Sequence, residues 1–145
     1  MEAVIFIGLQ GSGKSTFYQQ RFASTHVRIN LDMLKTRHRE NLVLRECLHE
    51  QRDFVVDNTN PTIDERRPYI SRGKEGGYKV VGYYFDVPVE DCIERNKARE
   101  GKARIPVPAL YGTRKKLQLP TRAEGFDELF TVTIVSGKFS IHLLD

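Results

Sequence analysis

Short apolar runs alternate along this chain with longer stretches in which apolar residues recur at helical spacing. The runs suit buried strands and lie at 3–7, 27–30, 54–57, 79–86 and 131–135. The longer stretches predict helices at 16–22, 32–51, 61–75, 90–99 and 108–116, with Gly76 and Gly77 ending the third. The tail after Gly137 alternates weakly and is a candidate edge strand. This alternation predicts an α/β fold in which helices cover both faces of a parallel sheet of about five strands.

A glycine-rich loop follows the first apolar run. Residues 8–15 read G-L-Q-G-S-G-K-S, a full G-x-x-x-x-G-K-S phosphate loop between a strand and a helix. Its glycines let backbone N–H groups turn toward a phosphate chain, Lys14 would reach the β- and γ-phosphates, and the Ser15 hydroxyl would bind Mg²⁺. We therefore expect ATP or another NTP, together with Mg²⁺, bound by Gly8, Gly11, Ser12, Gly13, Lys14, Ser15 and Thr16.

Composition narrows the class of protein. The chain has 145 residues, of which 39% are hydrophobic and 29% charged, the balance of one soluble globular domain. The start lacks a basic n-region and no apolar stretch is long enough to span a membrane, so a cytoplasmic location without a membrane partner is expected. The net charge of +4 permits polyanion binding. Basic clusters at 35–39 and 114–116 fit solvated helix faces and nucleic-acid contacts alike.

Cysteine and histidine add little further chemistry. The two cysteines, Cys47 and Cys92, lie in apolar contexts and are simplest as buried thiols, although a catalytic thiol stays an alternative. The four histidines have no metal-ligand spacing and are interpreted as structural or surface residues.

Two acids follow predicted strands. Asp32 would face the γ-phosphate end of the loop and could accept a proton from an attacking hydroxyl, or it could cap the next helix. Asp57 ends an apolar strand where phosphate-loop enzymes place an acid near the metal. The polar run 58–60 after it fits a turn as well as a binding role.

Arg95 and Arg99 are four residues apart on a predicted helix, which places them on one face. The helix leads into a loop with Gly and Pro, so a mobile lid at 95–110 could bring both arginines onto the ATP phosphates. The alternative is a solvated basic face paired with Asp91, Glu94 or Glu100.

These motifs resemble the kinase domain of the 5′-OH polynucleotide kinases, the phage and animal end-healing enzymes. The resemblance runs from residue 4 to residue 134. Besides the phosphate loop it rests on Asn30-x-Asp32, D-N-T-N-P at 57–61, Arg95-Asn96 with Arg99, I-P-V at 105–107, Tyr111-Gly112, Arg114-Lys115 and A-E-G-F at 123–126. It implies a P-loop NTPase fold of the adenylate-kinase-like type, with residues 1–145 as a single kinase domain and the lid at 95–110.

The resemblance also implies roles for individual residues. Asp32 would be the general base, Lys14 and Ser15 would hold phosphates and Mg²⁺, and Arg95 and Arg99 would clamp ATP. Asp57 would organise the metal, through water, and the acceptor site. The substrate residues would be Asp32, Lys35, Arg37, Asp57, Asn58 and Asn60.

This sequence departs from the family pattern at two positions. Leu31 stands where the family often has Arg, and Lys35 stands where the phage enzyme has Arg. A lysine keeps the charge but loses the bidentate geometry of a guanidinium.

The expected function is ATP-dependent transfer of the γ-phosphate to 5′-OH ends of DNA or RNA. Family members are often fused to phosphatase or ligase domains, so we expect separate partners of these kinds or a place within a larger system. A small-metabolite kinase acting on a sugar acid or nucleoside would use the same loop and base. A toxin-type kinase for a cell-wall nucleotide sugar shares the loop, and a non-catalytic nucleotide-binding module is the third alternative.

Overall fold

The predicted alternation of strands and helices is present, and the α/β class is confirmed. The computed structural model describes residues 1–99, 101 and 104–144. Within them one sheet has the strands β1 Glu2–Ile7, β2 Val27–Ile29, β3 Phe54–Val56, β4 Lys79–Phe85, β5 Glu128–Val135 and β6 Lys138–Leu143. The helices are α1 Lys14–Arg21, α2 Leu31–Leu34, α3 Arg37–Glu50, α4 Ile63–Glu75, α5 Val89–Lys97 and α6 Val107–Lys116. None of these helices is long and apolar enough to cross a membrane.

The strand order is β2-β3-β1-β4-β5-β6. The first five strands, β1 to β5, all run parallel, and β6 pairs antiparallel with β5. Parallel strands bring their carboxyl ends to one edge, and ligands of such sheets bind there. The phosphate loop and both predicted acids follow strands at this edge.

The sheet is buried on both faces, which explains the continuous apolar runs in the sequence. On β1, Ala3, Ile5 and Ile7 pack into one hydrophobic cluster, and Val4 and Phe6 pack into the cluster on the other face. The central strand therefore holds the phosphate loop on a rigid base.

The candidate edge strand after Gly137 is confirmed as β6, and it reaches the phosphate loop. Phe139 packs edge-on against Phe17 of α1, with ring centroids 5.1 Å apart. A Cβ added at Gly13 would lie 3.1 Å from the Phe139 ring. The tail thus supports the start of α1.

The predicted helix over 32–51 is wrong as one element, because it is two helices, α2 and α3. Lys35 ends α2 with a φ of 72°, a left-handed conformation that breaks the helix. The Thr36 side chain then caps α3 by accepting a hydrogen bond from the Arg39 backbone N–H at 3.1 Å.

Smaller differences concern helix ends. The helix predicted from Pro61 begins at Ile63, because the Thr62 hydroxyl caps α4. Gly76 ends that helix as predicted. Because α5 ends at Lys97, Arg99 lies beyond it rather than within a helix. Residues 100, 102 and 103 of the predicted lid lie outside the described residues.

Candidate active site

The phosphate loop joins β1 to α1 in a backbone conformation that needs glycine. Gly11 has a φ of +79°, and a Cβ added there would lie 2.6 Å from the carbonyl oxygen of Cys92. Gly13 has a φ of +98° and begins α1 with no side-chain cap from the described residues. The free N–H groups of the helix start are therefore left for an anion.

The side chains of the loop fit a bound nucleotide phosphate. Ser12 Oγ is buried and has no hydrogen-bond partner among the described residues, a deficiency that a phosphate oxygen would relieve. Lys14 Nζ donates to the carbonyl oxygens of Gly8 at 3.0 Å and Leu9 at 2.7 Å. Burial lowers the pKa of Lys14 to about 8, and the negative charge of Asp57 opposes this shift. An added phosphate would favour the ammonium form, as ATP binding requires.

Ser15 and Asp57 lie on either side of one guanidinium group. Arg28, from β2, donates through Nε to Asp57 Oδ2 at 2.8 Å and through Nη2 to Ser15 Oγ at 2.8 Å. The Asp57 side chain is only 1% exposed. Hydroxyl and carboxylate oxygens are ligands that suit Mg²⁺, so Ser15 and Asp57 fit a metal that arrives with nucleotide phosphates.

Asp32 lies in the first turn of α2, just after β2, and its side chain is exposed. Burial lowers the pKa of Lys14 and the negative charge of Asp32 weakly opposes this shift, so the carboxylate lies within electrostatic range of the phosphate loop. The alternative role of Asp32 as a helix cap is wrong, because Asn30 caps α2 by accepting from the Met33 N–H at 3.0 Å. Within the described part of the chain, the Asp32 carboxylate is therefore not used for capping.

A buried network holds the turn that carries Asp32. Asn58 Oδ1 accepts from the Leu31 N–H at 2.8 Å, and Asn58 Nδ2 donates to Glu40 Oε2 at 2.9 Å. Glu40, buried on α3, also accepts from the Tyr69 hydroxyl at 2.6 Å. Asn58, predicted to bind substrate, is placed here to position the neighbour of the candidate base.

The other predicted substrate residues divide between interior and surface. Asn60 is 4% exposed and donates to the Phe6 carbonyl oxygen at 2.8 Å, so its amide is used inside the fold. Lys35 is exposed at the end of α2, close to the candidate base. Arg37 is exposed as well, although its Nη1 donates to Glu40 Oε1 at 3.1 Å.

Both predicted clamp arginines act on the phosphate loop. A Cβ added at Gly13 would lie 2.9 Å from Arg95 Nη1, so this guanidinium contacts the loop. Burial lowers the pKa of Lys14, and the positive charge of Arg99 adds to this lowering. Glu94, a partner of Arg95 in the alternative interpretation, pairs with Lys97 at 3.1 Å.

The described ends of the predicted lid are attached to each other, and α6, which continues beyond the lid, contacts the phosphate loop. Asn96 is buried, accepts from the Ile105 N–H at 2.8 Å and donates to the Ile105 carbonyl oxygen. On α6, Thr113 accepts from Gln10 Nε2 at 3.1 Å. A displacement of α6 would therefore disturb its contact with Gln10 of the phosphate loop.

A groove of about 510 Å³ lies beside Arg95 at the carboxyl ends of β4 and β5. Its walls include Val87, Pro88, Thr133 and Ile134. Asp86, Asp91 and Glu94 also line the groove, so it combines apolar walls with three carboxylates and one guanidinium.

The A-E-G-F segment has a structural role. Glu124 accepts from Nε and Nη2 of the fully buried Arg66, at 2.8 and 3.1 Å. Arg66 Nη1 also donates to the Asn60 carbonyl oxygen at 2.9 Å. Phe126 packs into the core. The segment 123–126 is thus attached to the polar segment that follows β3.

Sequence interpretation missed three residues of this region: Arg28, Glu40 and Arg66. A signal existed for two of them, because Glu40 shares helical spacing with Leu44 and Cys47, and Arg66 with Tyr69, Ile70 and Gly73. A charged residue on an apolar stripe indicates a buried pair. Arg28 offers no such pattern, since its strand has only three residues.

The fold and the site together define a P-loop phosphotransferase. Residues 34–118 match the sequence model of a family described as an AAA domain, and the chain belongs to that family.

Two curated relatives extend the similarity and confirm the resemblance to polynucleotide kinases. A bifunctional polynucleotide phosphatase/kinase of Schizosaccharomyces pombe is 29% identical over 139 residues, covering 86% of this chain and 32% of the relative. A putative bifunctional polynucleotide phosphatase/kinase of Acanthamoeba polyphaga mimivirus is 31% identical over 144 residues, covering 94% and 34%. The chain thus spans a third of the length of these relatives.

Among solved structures, APS kinase of Mycobacterium tuberculosis in complex with AMPPNP and APS has a TM-score of 0.59. It is 20% identical, and the match covers 91% of this chain and 87% of that one. This likeness shows a shared fold, and that kinase binds a nucleotide, AMPPNP, on it.

Proposed function

We propose that this chain transfers the γ-phosphate of ATP or another NTP to the 5′-hydroxyl end of DNA or RNA. One observation carries the proposal: Asp32 is an exposed carboxylate in the first turn of α2, at the same carboxyl edge of the sheet as the phosphate loop. A carboxylate in this position can orient an attacking hydroxyl and accept its proton. The choice of a nucleic acid is supported by the two relatives named as polynucleotide phosphatase/kinases.

On the donor side, Lys14 and the start of α1 bind the phosphate chain. Arg95 and Arg99 offset the negative charge that the equatorial oxygens carry in an in-line transition state. Ser15 and, through water, Asp57 would hold Mg²⁺, which would neutralise the phosphates further. The groove beside Arg95 gives the nucleoside part room.

On the acceptor side, the terminal hydroxyl lies at Asp32 and the downstream phosphates meet the exposed cations Lys35 and Arg37. Asn58 and Asn60 act from within the fold, by fixing the segment between Asp57 and α4. Because Lys35 cannot make the bidentate contact of a guanidinium, we expect modest affinity for the first phosphate.

The setting belongs to the same proposal. Residues 1–145 act as a single kinase domain whose lid spans 95–110. A 5′-phosphate end is what a ligase joins, so phosphatase and ligase activities in the cytoplasm, on partners or within a larger system, are the expected context.

The test is transfer of labelled γ-phosphate from ATP, with Mg²⁺, to a 5′-OH oligonucleotide in DNA and RNA versions. The matched control is the same oligonucleotide already carrying a 5′-phosphate, which should stay unlabelled. A free nucleoside in excess should compete only weakly, because it lacks the downstream phosphates.

Nucleotide binding without transfer to either oligonucleotide would contradict the proposal. Labelling of a sugar acid or a nucleoside would then establish the small-metabolite kinase. Binding without any acceptor would favour the non-catalytic module.

A further inference from the structure

Arg28 occupies the centre of the proposed donor site, although no motif includes it. Its guanidinium spans Ser15 Oγ and Asp57 Oδ2, each at 2.8 Å, and Nη1 contacts Met33 Sδ at 3.1 Å. The guanidinium carbon also lies 5.5 Å from the centre of the Tyr18 ring.

The contact between Arg28 and Asp57 neutralises a buried charge in the nucleotide-free protein. The Asp57 side chain is 1% exposed, and a carboxylate removed from water is costly unless a cation is beside it. Arg28 supplies that cation at 2.8 Å. An arginine cannot relieve a charge conflict by losing its proton, so wherever its guanidinium lies it remains positive.

The proposed function gives the same two oxygen-bearing groups, Ser15 and Asp57, to Mg²⁺, and the inference rests on that assignment. A divalent cation that bound Ser15 and Asp57 would lie beside the Arg28 guanidinium, which already contacts both side chains. The two positive charges would repel each other strongly at this short range. The two cations therefore exclude each other from this position.

We propose that Arg28 is an internal cation of the donor site that holds Ser15 and Asp57 in the nucleotide-free protein and yields them to Mg²⁺ only when the nucleotide arrives. Without nucleotide phosphates, the interactions of Mg²⁺ with Ser15 and Asp57 are too weak to displace the Arg28 guanidinium. The phosphates of the nucleotide add ligands for the metal and negative charge for the released arginine.

The surroundings of Arg28 allow this exchange without unfolding β2. Its side chain is 18% exposed, and Met33, which it touches, is 64% exposed. The guanidinium can withdraw toward solvent along the Tyr18 ring, which favours a cation over its face.

The test measures binding of Mg²⁺ alone, by calorimetry and by the melting temperature, to the nucleotide-free protein and its variants. Wild type and R28K, which keeps the charge, should bind weakly. R28Q should bind Mg²⁺ at least about tenfold more tightly, the order expected when one positive charge beside a divalent cation is removed. The double variant R28Q/D57N should lose that gain.

Equal Mg²⁺ binding by wild type and R28Q, whether tight or absent in both, would overturn the proposal. Binding by R28K as tight as that by R28Q would overturn the claim that charge excludes the metal.

A second measurement needs only wild-type protein, in case R28Q does not fold. The Nε–H resonance of Arg28 should persist when Mg²⁺ is added alone and shift when ADP is added with it. A resonance that Mg²⁺·ADP leaves unchanged would contradict the exchange. None of these readouts uses an acceptor, so a failure of transfer to oligonucleotides would count against the proposed function alone.

Discussion

Lys14 is a buried ammonium group surrounded by carbonyl oxygens and carboxylates. Burial lowers its pKa from 10.5 to about 8. In the unfolded chain the lysine keeps its proton up to the higher value, so unfolding takes up a proton between these two pH values. The unfolding free energy of the nucleotide-free protein should therefore rise with pH in this window, by about 3 kcal/mol at most.

Nucleotide binding should reverse this shift. Phosphate favours the charged lysine, so just above pH 8 ATP binding should be accompanied by proton uptake. Calorimetry in two buffers of different ionisation enthalpy measures the protons taken up. K14M is the control and should show none, and an equal uptake by K14M would assign the proton to another group.

Gly11 in the phosphate loop and Gly112 in α6 form a matched pair of sites for testing what an added Cβ does to stability. Gly11→Ala places a Cβ at positive φ and 2.6 Å from a carbonyl oxygen, so we expect a loss of about 2 kcal/mol or more and weak ADP binding. Gly112→Ala meets open space inside α6 and should stabilise by about 0.5–1 kcal/mol. Urea denaturation compares them, and a neutral Gly11→Ala would show that the loop relaxes.

At the scale of elements, the ion pair between Arg66 and Glu124 connects α4 to the segment 123–126 that precedes β5. The side chains are 0% and 6% exposed, so Arg66→Met leaves a buried carboxylate without its partner. We expect a loss of about 3–5 kcal/mol in the unfolding free energy. The control is Arg67→Met, which breaks the exposed pair with Asp64 on the same helix and should cost under about 1 kcal/mol. Equal losses in a denaturant titration would contradict this account.

The elements and the loop could be predicted because their signals are local in the sequence. Buried strands appear as continuous apolar runs, and the phosphate loop needs its glycines at fixed spacing. The break at Lys35 could not be predicted, because it depends on a left-handed conformation that lysine seldom adopts.

The missed part of the site depends on distant partners. Arg28 meets Asp57 across 29 residues and Arg66 meets Glu124 across 58. Neither pairing follows from the residue types alone. Asp32 and the phosphate loop, by contrast, directly follow strands that are visible in the sequence, so their places at the carboxyl edge of the sheet could be predicted. Their roles as base and phosphate ligands stay predictions.

At the scale of the whole molecule, the net charge of +4 favours a polyanionic acceptor. Each phosphate that a cation neutralises on a single strand should add about −0.7 to the slope of log K against log salt concentration. We expect Lys35→Gln to reduce this slope by about one such step. Lys79→Gln removes the same charge at the start of β4, the opposite edge of the sheet, and should leave the slope unchanged. Fluorescence anisotropy of a labelled oligonucleotide measures both, and identical slopes would contradict the acceptor assignment.

In the proposed function Asp32 serves as the base for transfer to a 5′-hydroxyl, and the phosphate loop supplies the groups that bind the donor. The most direct measurement is single-turnover transfer of labelled γ-phosphate to a 5′-OH oligonucleotide by wild type and Asp32→Asn, with ADP affinity measured on the same samples. Asp32→Asn should transfer about a hundred-fold more slowly or worse, while its ADP affinity changes far less than the transfer rate. Transfer at the wild-type rate by Asp32→Asn would contradict the proposed role of Asp32.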